Sequence, residues 1–456
     1  MSTPKTNPFC ETANGHFSQL CEDFFSLLKE GEDATCNLQS EQQDYLRFNG
    51  SKVRQSTFVQ QHDLQIQFQS RNRRLDVNAQ LSGHRDEDLL LLKQLLARAR
   101  EEVQVLPEDP YLVPMSNSGE SHRDHVGRPP EARELVDYLA ECTRDTEFTG
   151  LYATGPMVRG NRNSRGQKHW FSSDSFFLDY SLYTLNSERE NKAVKACYSS
   201  NQWQQSEFLQ DLNEAKLQLK MLQKKSKVLA PGIYRAFLTP SALDELVQML
   251  SWGALSLGSY KRGQCALAKL YEGKEQLSSK VHLSENFDLG MGPQFTPLGE
   301  LTPMQLPLIQ GGKLTTLLSN LRSAKEYGTE SNGADLGENP RSLELKPGTL
   351  TRAETLKKLE TGVYLSNLHY ANWSDLQNAR ITGMTRYACF WVDKGEIVAP
   401  IKDMRFDESL FRLLGAHLEE LTAESRIIPS TGTYQIRQLG GKKLPGLLAS
   451  EFRFTL

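Results

Sequence analysis

The side chains that could build a hydrolytic centre are few and widely spaced. A zinc hydrolase needs nitrogen or sulfur ligands converging on one point, plus a carboxylate to take a proton from the bound water. The 456-residue sequence contains no H-E-x-x-H. His122 and His125 flank Asp124, but in a polar stretch with no evident third ligand, and read as solvent-exposed. His282 with Glu285, and His417 with Glu420, are spaced i, i+3, each pair too sparse for a site. His417 falls on an apolar helical pattern and reads as a packed residue. His369 and Cys389 lie in one compact unit, where two donors would make at most a weak site and ordinary packing explains them. There is no G-x-S-x-G elbow, no cysteine in a reactive context and no phosphate-binding glycine motif after a strand. The basic run Arg159-Gly-Asn-Arg-Asn-Ser-Arg-Gly166 reads as a solvated hairpin end, because no helix start follows to add its dipole.

The elements that must position these residues centre on Gly362 to Leu421. Tyr387 to Val392 alternates like a strand packed on both faces. Asp393-Lys-Gly-Glu396 is a tight turn, and Ile397 to Ile401 returns as its partner. Asp407 is expected to cap a helix carrying Leu410, Leu413, Leu414, His417, Leu418 and Leu421. Earlier, a helix over Phe17 to Leu28 precedes a hairpin of two short strands, Asp44 to Gln60, around Asn49-Gly50. An antiparallel meander through Leu81 follows, then a helix opened by Asp86. Pro107 to Pro130 reads as a long loop, followed by a helix over Ala132 to Cys142. Strands over Phe148–Met157, Trp170–Thr184 and Asn191–Ser199 lead to a helix over Phe208–Leu222. Beyond Pro231-Gly232, a strand over Ile233–Leu238 feeds a helix over Pro240–Leu257. Pro293 to Gly312 is broken by Pro and Gly, and Tyr434–Arg437 and Phe452–Leu456 read as closing strands.

Composition bounds the rest. With 38% hydrophobic and 24% charged residues, the chain reads as a soluble globular protein of two domains. A formal net charge of -3 offers nothing to nucleic acid or an anionic membrane. No apolar run approaches the roughly 20 residues of a membrane helix, and Met1 to Phe9 lacks the apolar core of a signal peptide. Seven scattered cysteines, with no C-x-x-C pair, suit reduced thiols in a cytoplasm. The expected fold is α+β: an N-terminal domain over residues 1–230 and a C-terminal domain over 231–456. Each is an antiparallel sheet with covering helices, the second a β-rich barrel-like or sandwich domain.

Several segments together resemble the TldD/PmbA family, also called modulators of DNA gyrase. They are Thr361-Gly-Val-Tyr-Leu-Ser-Asn367, Thr382-Gly-Met-Thr-Arg386 and Gly395-Glu-Ile-Val-Ala-Pro400. Leu46-Arg-Phe-Asn49, Val53-Arg-Gln55, Leu106-Pro-Glu-Asp-Pro-Tyr111, Lys192-Ala-Val-Lys195 and Pro231-Gly-Ile-Tyr-Arg235 extend the likeness. The resemblance implies a paired cytoplasmic peptidase acting on peptides and unfolded protein segments. Its TldD-type member binds zinc through H-E-x-x-x-H on a helix; its TldE/PmbA-type member lacks the motif and completes the complex.

Aligned on that helix, the ligand window here falls near Gln248-Met-Leu-Ser-Trp-Gly253. Gln248 and Gly253 take the histidine places and Met249 that of the catalytic glutamate. No shift recovers a histidine, since none lies between His169 and His282. The expectation is therefore a TldE/PmbA-like subunit without its own zinc or catalytic residues, partnered by a zinc-bearing TldD-like chain. Asn367, Asn372, Arg380, Thr382 and Arg386 are candidate peptide-binding residues, with capping of turns as their ordinary alternative. Two further readings are a peptidase that recruits metal through other ligands, and a self-associating, homodimeric peptide-binding module.

Overall fold

The computed structural model describes residues 6–455, so Met1–Lys5 and Leu456 lie outside it. The chain folds as two mostly antiparallel sheets with covering helices, an α+β arrangement in which neither sheet closes into a barrel.

The first sheet grows from a hairpin much longer than the sequence suggests. Helix α1 (Pro8–Phe25) is opened by the Asn7 side chain, which accepts from Phe9 N. Strands β1 (Glu32–Asn49) and β2 (Lys52–Ser70) then pair along their whole length. Gly50 and Ser51 both take left-handed φ, +58° and +59°, the geometry a two-residue hairpin turn demands. Arg71 and Asn72 do the same before β3 (Arg73–Gln80). Helix α2 (Arg85–Glu102) crosses over; Asp88, not Asp86, receives Ser82 N and Gly83 N at its start. The expected loop over Pro107–Pro130 contains a strand, β4 (Glu120–His125), paired parallel to β6. After α3 (Ala132–Cys142) come β5 (Glu147–Asn163), β6 (Lys168–Leu185), β7 (Asn191–Ser200) and α4 (Gln205–Leu222). The order is β3-β2-β1-β5-β6, with β4 and β7 sharing the far edge of β6. Phe17, Leu20 and Phe24 of α1 pack with Ile66, Phe68, Leu92 and Leu96. Phe208 and Leu212 of α4 pack on Phe148, Phe176 and Tyr180 of the sheet and reach Ala388 and Phe390 of the second layer.

Among the described residues the second sheet has thirteen strands: β8 (Gly232–Leu238), β9 (Leu283–Asn286), β10 (Gln305–Gln310), β11 (Lys313–Leu314), β12 (Ser342–Leu345), β13 (Gly362–Leu365), β14 (Asn367–Asp375), β15 (Arg380–Arg386), β16 (Phe390–Asp393), β17 (Glu396–Pro400), β18 (Arg405–Ser409), β19 (Leu418–Pro429) and β20 (Gly441–Phe454). The long β20 is its spine, pairing with β8, β12, β18 and β19. The turn Asp393–Glu396 forms as expected, with φ +53° and +79° at Lys394 and Gly395.

Further elements differ from the sequence reading. The strand expected over Tyr387–Val392 begins only at Phe390, because Tyr387 takes φ +63° in a turn. The helix after Asp407 is one turn, Leu410–Leu413, capped by Ser409; Asp407 is a strand residue opposite Thr382. The chain turns at Gly415, where a Cβ would meet Phe411 O at 2.1 Å, so Leu418 and Leu421 are strand residues. Tyr434–Arg437 forms no strand but a strap between β19 and β20. Helix α5 (Pro240–Gln248), capped by Thr239, stops well short of Leu257: a 3-10 turn, Met249–Ser251, follows, and α6 (Leu257–Lys261) resumes later. Among the described residues no helix is long and apolar enough to cross a membrane.

Candidate functional site

Beside the C-terminal end of α5 lies a cleft of about 510 Å³. Its walls are Asp244, Gln248 and Ser251 on one side, and Pro340-Arg341, Pro429–Gly432 and Leu439–Lys442 on the other. Asp244 and Gln248 are four residues apart on a helix, so they share a face. Lys442, near the start of β20, reaches them both: its Nζ lies 2.6 Å from Asp244 Oδ1 and 2.6 Å from Gln248 Oε1. The Gln248 amide nitrogen donates to Ser251 Oγ at 3.2 Å. The Lys442 side chain is only 14% exposed, so the ammonium is held rather than waving in solvent.

The floor is a second buried cation. Arg341 donates to Pro293 O, Phe295 O, Gly333 O and Thr302 Oγ1, and its guanidinium lies 4.8 Å from the Phe287 ring centre. Its backbone N–H, with that of Ser342, donates to the buried Glu285 carboxylate. Burial pushes the Glu285 carboxyl above its usual range and the Arg341 guanidinium below its own, and each charge partly restores the other. Gly440 takes φ +101°, and a Cβ on Gly441 would lie 2.6 Å from Ile428 O, so this wall needs glycine.

The cleft wall continues into the strap, which reaches the first sheet. Arg437, 3% exposed, donates to Gln43 Oε1 and Ser175 O and lies over the Phe177 ring; its N–H donates to Glu41. Burial holds that guanidinium down at about 10.

The ligand window does not fit zinc. Gln248 is engaged by an ammonium, Met249 is 2% exposed inside the core, and Gly253 is a turn residue at φ +81° whose Cβ would meet Ser259 Oγ at 2.6 Å. Among the described residues no three His, Cys, Asp or Glu side chains converge as metal ligands would. Cys389 is buried, its Sγ donating to Arg386 O at 3.3 Å, while the His369 ring lies tilted against that of Tyr370, 4.0 Å between centres. His122 bonds Asp124 at 2.8 Å, and that carboxylate also receives Ser172 Oγ; all are strand residues, not loop. Gly311 N donates to His282, whereas Glu285 is buried elsewhere in the network. His417 faces Ser450 and Glu451, and Glu420 binds Lys280. In the basic run, Arg165 pairs with Asp33 and Arg162 donates to Ser18.

The five candidate peptide-binding residues come together, though not in the cleft. Asn367 stands opposite Arg386 and Asn372 opposite Thr382 on the β14–β15 hairpin, and Arg380, Thr382 and Arg386 alternate on one face of β15. Arg380 is tied to Asp407, and Thr382 donates to Phe406 O. Arg386 lies over Tyr387, 5.1 Å from the ring centre. Sequence reasoning missed Asp244, Lys442 and Arg437; the available signal was a Gly-Gly pair before Lys442 and an i, i+4 polar pair on α5.

Residues 231–455 match the model of the PmbA/TldA metallopeptidase C-terminal domain. Among curated proteins no sequence matches the chain. Crystal structures similar in fold include three from different organisms. A Thermotoga maritima protein described as a modulator of a DNA gyrase has TM-score 0.78 at 17% identity, over 96% of this chain and 100% of its own. TldE from Thermococcus kodakarensis has 0.76 at 13%, over 97% and 100%. A modulator of DNA gyrase from Bacteroides thetaiotaomicron has 0.73 at 14%, over 97% and 98%.

Proposed function

This chain belongs to the PmbA/TldD family through its C-terminal half, and we propose that it is a non-catalytic, TldE/PmbA-type subunit. In this reading it docks onto a zinc-bearing TldD-type chain in the cytoplasm and helps enclose a peptide or unfolded-protein substrate. The β14–β15 face, with Asn367, Asn372, Arg380, Thr382 and Arg386, is the surface offered to that substrate.

One observation carries the proposal: the Lys442 ammonium sits 2.6 Å from both Asp244 Oδ1 and Gln248 Oε1, the two α5 side chains that line the cleft. A metal ion about 4 Å from that charge would be repelled by roughly 4 kcal/mol per unit of ion charge at an effective dielectric near 20. At the places the resemblance assigns to the metal-binding motif stand an amide, a core thioether and a glycine, and the Asp244 carboxylate nearby is already paired with the lysine. Family chemistry therefore needs a second chain to supply the metal.

Co-expression with an H-E-x-x-x-H chain, followed by size, zinc and peptidase measurements, tests this. The expected outcome is a heteromer that carries zinc in the partner alone and cleaves peptides. A strictly monomeric chain in that mixture, or about one tightly held zinc per isolated chain, would overturn it.

A further inference from the structure

One edge of the first sheet is left open. β3 pairs with β2 only from Asp63 to Ser70, and Leu81 N–H closes the covered part on His62 O. Among the described residues no strand lies beside the outer edge of β2 from Lys52 to Gln61, while β1 holds the inner edge. Ten extended residues run about 34 Å. Natural edges of this length are blunted by lysine, proline, a bulge or a covering element. Here the run Gln55-Ser-Thr-Phe-Val-Gln-Gln61 has no charge and no proline, and the hairpin's register shift lies at Arg47/Phe48, nearer the tip. Phe58 is 61% exposed and Val53 39%.

We infer that this edge is a self-association surface: Lys52–Gln60 of one chain pairs antiparallel with the same stretch of a second copy, Ser56 opposite Ser56, joining two first sheets into one. The sequence of the edge selects a second copy as its occupant. In this register Val59 meets the partner's Val53, Phe58 the partner's Arg54, Thr57 the partner's Gln55 and Gln60 the partner's Lys52. Both exposed apolar side chains thus gain cross-strand neighbours, and the arginine lies against an aromatic ring. The antiparallel two-fold keeps each chain's Lys52 and Arg54 away from their copies, whereas a parallel pairing would stack them. Pairing ends at residue 60, clear of β3, so nothing must move aside. The contact is isologous, as homodimers usually are. Nine residues a side fall short of the roughly 20–30 of a standard interface, so the dimer is weak and concentration-dependent. None of this rests on the heteromeric reading above.

The full chain alone is examined by sedimentation over a concentration series, with engineered cysteines to fix the register. Directly opposed antiparallel residues have Cα atoms about 4.5–5.5 Å apart, within the span a disulfide bridges. Ser56→Cys is expected to form a covalent dimer under mild oxidation, against the parent as control for its native thiols. Phe58→Cys, which stands opposite Arg54, cross-links far less. Phe58→Lys sets like charges opposite each other and raises the dimer dissociation constant about tenfold or more, while Phe58→Glu, facing Arg54, retains the dimer. A parent chain that stays monomeric at about 0.1 mM would overturn the inference. So would equal cross-linking from positions 56 and 58, or equal loss of the dimer in Phe58→Lys and Phe58→Glu with circular dichroism unchanged. Should either Phe58 variant fail to fold, cross-linking at Ser56 decides alone.

Discussion

Each sheet buries one guanidinium over a phenylalanine ring, and the two differ in where their acceptors come from. Arg341 is satisfied by carbonyls and a hydroxyl of its own layer. Arg437 belongs by sequence to the β19–β20 connection, yet its acceptors Gln43 and Ser175 belong to the first sheet. One arginine knits the second layer internally; the other fastens the two layers together. Buried planar donors can therefore serve either cohesion or docking, and the ownership of the acceptors decides which.

Removing Arg341 should have the largest effect. Arg341→Ala leaves the carbonyls of Pro293, Phe295 and Gly333 without this donor, and it should cost about 3–5 kcal/mol by denaturant unfolding. Arg341→Lys should recover little, because an ammonium cannot reproduce the fork. A loss below about 1 kcal/mol would break the comparison, since the second layer would then not depend on this group.

Arg437→Met should cost less, about 2–3 kcal/mol, but change the shape of unfolding. With the strap released, calorimetry should resolve two transitions where the parent shows one. A single transition shifted as a whole would show that α4, packed against both layers, couples them without the strap.

Acid should then act on the separated transitions in different ways. Burial holds His62, His125 and His169, all in the first layer, below their ordinary value. Their stabilisation is complete above the unfolded value near 6.5 and is lost as pH falls through the lower folded values. In the second layer burial raises the carboxyls of Glu285 and Glu300. Theirs is complete below the unfolded value near 4.3 and is lost as pH rises through the folded values. Lowering pH from about 7.5 to about 5.5 should therefore lower the first-layer transition and leave the second level or higher. Asp44 and Asp174, raised by burial in the first layer, oppose part of that fall. Two transitions moving down together would remove the distinction.

Local signals carried much of this architecture. Asn49-Gly50, Lys394-Gly395 and the apolar faces of α1 and α4 needed only turn chemistry and periodicity. The leucines on either side of Gly415 misled because Leu410, Leu413, Leu414, Leu418 and Leu421 fit a helical face while lying in three different local structures. β4 was invisible because six polar residues, Glu120–His125, become a strand only by pairing with β6. The same holds for the cleft: Asp244 and Lys442 are 198 residues apart, and no spacing rule joins them. Gly253 looked like an empty ligand position on a helix; in the fold it belongs to a turn after the helix has ended.

The smallest effect is expected at the cleft itself, and it separates two features that bear on metal binding there. Lys442→Met keeps the buried stem and removes the charge, leaving Asp244, a quarter exposed, without its ion pair. The loss should be about 1 kcal/mol, confined to the second-layer transition, because the pair lies wholly between α5 and β20. If the ammonium were the sole obstacle, this variant would acquire tightly bound zinc. It should not, because the residues lining the space offer one carboxylate, the Gln248 amide and hydroxyls such as that of Ser251, with no histidine or cysteine among them, and such a set falls short of the ligands zinc takes. Equilibrium dialysis of zinc against parent and variant reads this directly. A tight site in the variant alone would mean that one lysine separates the cleft from a metal centre, and that the donor set around α5 is richer than its side chains indicate.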